Sequence, residues 1–124
     1  MSENQKACSG APKLIFPCSG GSDVGALADL AARQMTRDGS GKMYCLAGIG
    51  GQIPGILSTT RNASKILAVD GCPMNCAKKI LELAGFSQFE HLCLADAGFA
   101  KGASPATADN VAKAAACGAS KIAG

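Results

Sequence analysis

Short apolar runs alternate along the chain with longer segments in which apolar residues recur every three or four positions. Each apolar run is followed by a turn signal rich in glycine, serine, proline or aspartate. Runs of this length that end at such signals predict β-strands. The four predicted strands cover residues 14–17, 43–47, 65–69 and 91–95.

The segments between these runs have helical spacing. In the first of them Val24, Leu27, Ala31 and Met35 fall on one face, as expected of an amphipathic helix. Its start can be capped by Ser22 or Asp23, and Gly39 can end it. The predicted helices cover 23–39, 54–63 with a proline at its first position, and 73–85, and a last helix begins at Ser104-Pro105 and ends before Gly118.

The order strand, helix, strand, helix predicts an α/β fold. We expect a three-layer sandwich around a mostly parallel sheet of about four strands, with helices on both faces. A chain of 124 residues suits one domain. We assign residues 12–124 to this domain and residues 1–11 to a flexible tail.

Composition excludes several classes of protein. No apolar run approaches the ~20 residues of a membrane span, and the polar N-terminus lacks the apolar core of a signal peptide. We therefore predict a cytoplasmic protein that does not bind membranes. The net charge is +3, with no Trp and one Tyr; scattered basic residues without an aromatic stacking surface predict no nucleic-acid partner.

Seven cysteines are the unusual feature of the composition. In a reducing cytosol thiols stay reduced unless they bind a metal, react or are buried, and an odd number cannot all form disulfides. In an open α/β sheet, functional groups gather at the carboxyl ends of the strands. Four cysteines lie within or just after three consecutive predicted strands and could converge on that edge: Cys18, Cys45, Cys72 and Cys76.

The spacing of Cys72 and Cys76 favours a metal over a disulfide. If Cys72 is the N-cap and Pro73 the first helical residue, the two Cβ atoms are about 5–6 Å apart. A disulfide needs about 3.8 Å between Cβ atoms, whereas two thiolates on one zinc ion need only their sulfurs about 3.8 Å apart. A helix start also lowers the pKa of a cysteine. Because a thiolate is both a ligand and a nucleophile, a metal site and a reactive thiol both remain open.

Residues beside these cysteines could support the site. The small residues Ser19, Gly20, Gly21 and Ser22 follow Cys18 and could turn backbone N–H groups towards an anion. Asp70 could orient a metal ligand, or its carboxylate could cap the following helix.

The remaining thiols and the single histidine have simpler interpretations. Cys93 lies within a predicted strand that is buried on both faces, so we expect a core thiol. Cys117 lies in an alanine-rich helix and is predicted to pack there, and Cys8 lies in the tail. His91 begins a strand and is not expected to bind metal or act as a base.

Three motifs in order carry a family resemblance: Cys18-Ser-Gly-Gly-Ser, Cys45-Leu-Ala-Gly and Asp70-Gly-Cys-Pro-Met-Asn-Cys-Ala-Lys-Lys. Together they resemble the DGC family of prokaryotic zinc-binding proteins, named for its Asp-Gly-Cys motif. The resemblance extends over residues 13–102. It implies that Cys18, Cys45, Cys72 and Cys76 bind zinc, and it implies no established biochemical role.

The sequence therefore predicts a zinc-binding module that senses, carries or presents a metal, with room at the glycine-rich edge for a small anion or a protein partner. A thiol-based oxidoreductase or transferase with a low-pKa cysteine and a resolving cysteine is the first alternative. An iron–sulfur protein is the second, because four thiolates also suit a cluster. Whether the chain is an enzyme stays open.

Overall fold

A computed structural model describes residues 11–124 of the chain. The predicted tail, residues 1–11, therefore lies almost entirely outside the described residues, and so does Cys8. Along the chain the elements are β1 (Lys13–Pro17), α1 (Asp23–Asp38), β2 (Lys42–Met43), α2 (Leu46–Gly50), α3 (Pro54–Arg61), β3 (Lys65–Asp70), α4 (Cys76–Leu83), β4 (Glu90–Cys93), a short 3-10 helix (Leu94–Ala97) and α5 (Ala108–Ile122).

The strands form one parallel sheet in the order β2-β1-β3-β4. Residues of α1 and α5 pack on one face of the sheet, against Ile15, Leu67 and Val69. The other face packs against α2 and α4 through Phe16 and Ala68. The predicted three-layer α/β arrangement is confirmed. Within residues 11–124, no helix combines the length and the apolar character needed to cross a bilayer.

The first helix follows the prediction closely. Ser22 Oγ accepts a hydrogen bond from the N–H of Gly25 at 3.2 Å, and Gly39 ends the helix in the left-handed conformation, with φ of 83°. The predicted apolar face is buried in the core. Local signals specify this helix because both of its ends are closed by its own residues.

The second predicted strand is wrong in extent. The prediction covered residues 43–47 and placed a loop after them, but β2 stops at Met43 and Leu46–Gly50 form a helix across the predicted end of the strand and start of the loop. The chain leaves the sheet after the N–H of Tyr44 donates to the carbonyl of Ile15 at 2.8 Å. The short helix then buries Ile49 in the core. The apolar residues of this segment were recognised, but they were assigned the spacing of a strand although Leu46–Gly50 form a helix.

The ends of the other elements also differ from the predictions. α4 begins at Cys76 rather than at residue 73, and β4 gives way to the 3-10 helix at Leu94. α5 begins at Ala108 and continues past Gly118 to Ile122. Gly118 is not a helix stop: a side chain there would collide with Met35 of α1. Its smallness lets the two helices approach.

Two loops at the carboxyl edge of the sheet pack against the start of α1 through backbone atoms. A Cβ atom added to Gly71 would lie 2.7 Å from the carbonyl carbon of Val24, and one added to Gly25 would collide with Gly20. Real Cβ atoms do not approach backbone this closely. Because these residues are glycines, the loops after β1 and β3 can lie directly against the start of α1.

We predict that Gly71→Ala lowers the free energy of unfolding by about 2 kcal/mol or more, because the backbone around Val24 must move to admit the methyl group. Urea denaturation measures the change. Gly21→Ala is the matched control, since a Cβ atom there meets nothing within 4 Å. Equal stability of the two variants would refute the close packing.

Asp23 fastens a third loop to the same end of α1. Its carboxylate accepts hydrogen bonds from the backbone N–H groups of Gly102, at 2.9 Å, and of Ser104, at 3.2 Å. The bond from Gly102 is the main reason that the pKa of Asp23 lies below its ordinary value of 3.8. The loop before α5 is thus tied to the ionised form of this side chain.

We expect Asp23→Asn to destabilise the protein at neutral pH and to have progressively less effect in acid. A carboxylate with a lowered folded-state pKa stabilises fully above its unfolded-state pKa, and this contribution is lost as the pH falls through the folded-state value. Urea denaturation between pH 7 and pH 2 measures it. Asp109→Asn, at the start of α5, is the control; a pH-independent difference for Asp23→Asn would contradict the assignment.

Candidate functional site

The carboxyl edge of the sheet brings two cysteine-bearing loops together. β1 and β3 are neighbours in register, with Pro17 beside Val69, and the N–H of Cys18 donates to the carbonyl of Val69 at 2.9 Å. The connections from these two strands run to opposite sides of the sheet, so this position is the switch point at which open α/β sheets bind ligands. Cys18 therefore lies beside the loop that carries Cys72 and Cys76.

The Cys18 thiol is half-buried and surrounded by polar groups. Burial raises its pKa above the ordinary 9.0, and negative charge on Asp70 and Cys76 raises it further. The backbone N–H groups of Gly20 and Gly71 donate to the sulfur and act in the opposite direction. The net shift is upward, so the Cys18 thiol stays protonated at neutral pH. Cys76 is therefore close enough to Cys18 for its charge to raise the pKa of the Cys18 thiol.

Asp70 is buried, with 1% of its surface exposed. One carboxylate oxygen accepts from the N–H of Ala77 at 2.7 Å, and the other from the N–H of Lys78 at 3.1 Å. The second oxygen also lies 2.9 Å from Nε2 of His91. Of the two predicted roles for Asp70, the structure contains the helix cap.

The start of α4 corrects the prediction that Cys72 is its N-cap. The N-cap residue is Asn75, in the left-handed conformation with φ of 56°, and Cys76 is the first helical residue. The physical reason is Asp70, which caps the helix from outside the local segment. The position at the helix start that was predicted for Cys72 is therefore occupied by Cys76.

The turn between the two thiols places them differently. Cys72 is partly buried, and its carbonyl accepts from the N–H of Asn75 at 3.2 Å; Cys76 is exposed. Asn75 Oδ1 is buried and has no hydrogen-bond partner within the part of the chain that the structure describes. A buried acceptor without a donor is costly, so this oxygen is available to a group that enters the turn.

The loop after Cys18 uses its polar groups internally. Ser19 adopts φ of 51°, and its hydroxyl donates to Asp29 at 2.8 Å. Ser22 caps α1, and the N–H of Gly20 donates to Cys18. Gly21 remains exposed. Most of the hydrogen-bonding groups of residues 19–22 that were predicted to bind an anion therefore bond to the Cys18 thiol or to residues of α1.

Cys45 lies at the same edge but in a different groove. It is the exposed N-cap residue of α2 and faces the side chains of α1, in the company of Arg33, Arg37 and Met43. Among residues 11–124, no three Cys, His, Asp or Glu side chains are gathered closely enough to hold one metal ion. The structure thus places Cys18 near Cys76 and leaves Cys45 apart.

Two further thiols lie in or against the core, and His91 contacts Asp70. Cys93 is buried at the end of β4, and Cys117 of α5 packs against the core, both as predicted. The contact between His91 and Asp70 was missed. The two residues are 21 positions apart, and parallel pairing of β3 with β4 is the signal that could have placed them together.

These features define an open, parallel α/β domain with free thiols at the switch point of its sheet. A family model described as the DGC domain matches residues 14–117, and the chain belongs to this family. The chain is also similar to the anaerobic and virulence modulator AnvM of Pseudomonas aeruginosa, with 38% identity over 88 residues, which cover 71% of this chain and 67% of the relative. No solved structure matches the chain.

We expect Asp70→Ala to lower the free energy of unfolding by about 2–4 kcal/mol, because two backbone N–H groups and His91 lose a buried acceptor. Chemical denaturation measures this loss. Asp96→Ala, an exposed carboxylate after β4, is the control and should change stability by less than about 0.5 kcal/mol. Similar losses in both variants would show that Asp70 does not hold α4.

Proposed function

We propose that this DGC domain binds a thiophilic divalent metal ion, Zn²⁺, through the thiolates of Cys18, Cys72 and Cys76. The supporting observation is geometric: the N–H of Cys18 donates to the carbonyl of Val69 near the end of β3, so Cys18 lies beside the loop that carries Cys72 and Cys76 at the switch point. Cysteine thiolates are among the usual ligands of zinc in proteins. Cys45 is proposed as the fourth ligand.

The donor set suits zinc, and its arrangement requires side chains to move. As placed, the described side chains do not form a three-donor group. Cys76 is exposed and Cys72 partly exposed, so rotation about their side-chain bonds can turn both sulfurs without unfolding the loop. Asn75 Oδ1, buried and without a donor, can accept a hydrogen bond from a group bound in the turn. Cys45 has further to move, because it faces the groove beside α1.

Metal binding would act against the raised pKa of Cys18. Burial and the nearby negative charges keep its proton on the sulfur, and a divalent cation favours the thiolate. Uptake of the metal therefore releases protons, and affinity rises with pH. Such a site exchanges its ion in response to conditions, which suits a module that senses or carries a metal. The name of the relative AnvM, an anaerobic and virulence modulator, agrees with a regulatory role for this chain.

A redox function is the second candidate, and the same pair of thiols supports it. Cys76, exposed at the start of α4, would attack the sulfur of an oxidised disulfide partner, and Cys18 would then displace the partner as its thiol. One disulfide forms in the protein, and the partner is reduced by two electrons to two thiols. The raised pKa of Cys18 assigns it to the second step.

Elemental analysis of anaerobically purified protein tests the metal proposal. We expect about one zinc per chain, release of thiols on chelation, and at least a tenfold loss of zinc affinity in Cys18→Ser and Cys76→Ser. Cys117→Ala is the control, because Cys117 lies on α5 and packs against the core beside β4. The affinity of Cys45→Ser separates three ligands from four.

Other outcomes of the same analysis are equally decisive. Iron with inorganic sulfide would assign an iron–sulfur cluster instead. No metal, thiols unaffected by a chelator and a reversible disulfide between Cys18 and Cys76 would replace the metal proposal with the redox one. Unchanged zinc affinity in both serine variants would refute the assigned ligands.

A further inference from the structure

A groove of about 620 Å³ lies between α1 and the end of β2, away from the thiols at the switch point. β2 is an edge strand of the sheet, so the groove opens at the side of the domain. Thr36 ties its two walls together, because Thr36 Oγ1 accepts from the N–H of Met43 at 2.8 Å. The lining residues are Arg33, Thr36, Arg37, Met43, Tyr44 and Cys45.

Two arginines in this groove are held in place by neighbours on their own helix. Nε of Arg33 donates to Asp29 at 2.8 Å, and Nη2 of Arg37 donates to Gln34 at 2.7 Å. The arginines are four residues apart, so they lie one helical turn apart on one face. A guanidinium carries five N–H donors in a plane. Each arginine therefore keeps further donors, in a fixed orientation, beside the groove.

The charge of the groove is positive. The lining that the structure describes contains no Asp or Glu. Asp29 offsets one of the two arginines, and Asp38 is hydrogen-bonded to the amide of Gln34 at 2.8 Å. The exposed Lys42 lies directly before Met43 in β2. Oriented guanidinium groups with spare donors match the planar oxygen pairs of carboxylates and phosphates.

We propose that this groove binds the carboxylate or phosphate group of a small anionic ligand, with Arg33 and Arg37 as its contacts and the Cys45 thiol at its side. The site differs from the loop at residues 18–22, whose donors serve Cys18 and α1. Because Cys45 is also the proposed fourth metal ligand, the anion site is proposed for the metal-free protein, and its two arginine contacts take no part in metal binding. An anion held by the arginines brings the rest of the ligand next to an exposed thiol.

Two alkylating reagents of nearly the same shape test the proposal on the full chain after a chelator has removed any bound metal, because Cys45 and Cys76 are both proposed metal ligands. Iodoacetate is an anion and iodoacetamide is neutral; in both reactions the cysteine thiolate displaces iodide. We expect the ratio of the iodoacetate rate to the iodoacetamide rate to be about fivefold higher at Cys45 than at the exposed Cys76. Mass spectrometry of the alkylated peptides gives the rate at each site. Because both reagents react with the same thiolate at each cysteine, the ratio of their rates does not depend on how exposed that cysteine is or on what fraction of it is ionised.

Variants assign the effect to the arginines. In the double variant Arg33→Gln and Arg37→Gln, the ratio at Cys45 should fall to the value at Cys76. Arg61→Gln is the matched control, since Arg61 is an exposed arginine at the end of α3, and should leave the ratio unchanged. Circular dichroism checks that the variants remain folded. Equal ratios at Cys45 and Cys76 in the unaltered protein would overturn the proposal.

Competition separates binding from general attraction and identifies the anion. Inorganic phosphate or malonate, added at constant ionic strength, should slow iodoacetate at Cys45 and leave iodoacetamide unchanged. Inhibition by phosphate alone assigns a phosphate group, by malonate alone a carboxylate, and by both a site for either. A high ratio that neither anion lowers would mean that the groove attracts anions without binding them, and would also overturn the proposal. Loss of zinc binding in the cysteine variants would not affect this result.

Discussion

The buried carboxylate of Asp70 is the interaction on which the arrangement of this edge depends. A charge this well buried is tolerated only when it is fully hydrogen-bonded, and here it accepts from two N–H groups of α4 and lies beside His91 of β4. The same side chain therefore sets where α4 begins and links the third strand to the fourth. Gly71 then allows the chain to touch α1, and Cys72 follows. In the Asp-Gly-Cys motif, Asp70 therefore caps α4, Gly71 permits the close approach to α1, and Cys72 supplies a thiol.

Elements whose ends are determined locally could be predicted from the sequence. The first helix has its own caps, and the apolar period of the strands reports burial in a parallel sheet. The start of α4 could not be predicted in this way, because its cap is supplied by Asp70 from the preceding strand. Helix α2 has five residues and no side-chain cap, so its short apolar sequence was read as strand and loop. Gly118 was read as a stop because its contact with Met35 lies in another helix.

The candidate site likewise has features that could be predicted from the sequence and features that could not. The alternation of strands and helices and the carboxyl-edge rule were enough to predict that Cys18, Cys72 and Cys76 lie at one edge of the sheet. Cys45 was predicted to lie within a strand that extends to residue 47, but β2 ends at Met43, so Cys45 lies beyond the strand and beside α1. The upward pKa shift of Cys18 also lay beyond the sequence, since it results from burial and from groups more than fifty residues away. Contacts of this range arise only when the sheet is assembled.

The close contacts of Gly71 and Gly25 with neighbouring backbone have a consequence for binding thermodynamics. Both thiol-bearing loops are held by main-chain atoms, so they are already ordered before anything binds. A ligand at the switch point would then restrict a few side-chain rotamers and not a loop, and the entropic cost of ordering would be small. Backbone contact also leaves the identity of the exposed side chains free to vary. The domain can therefore change what its edge recognises without changing how firmly that edge is held.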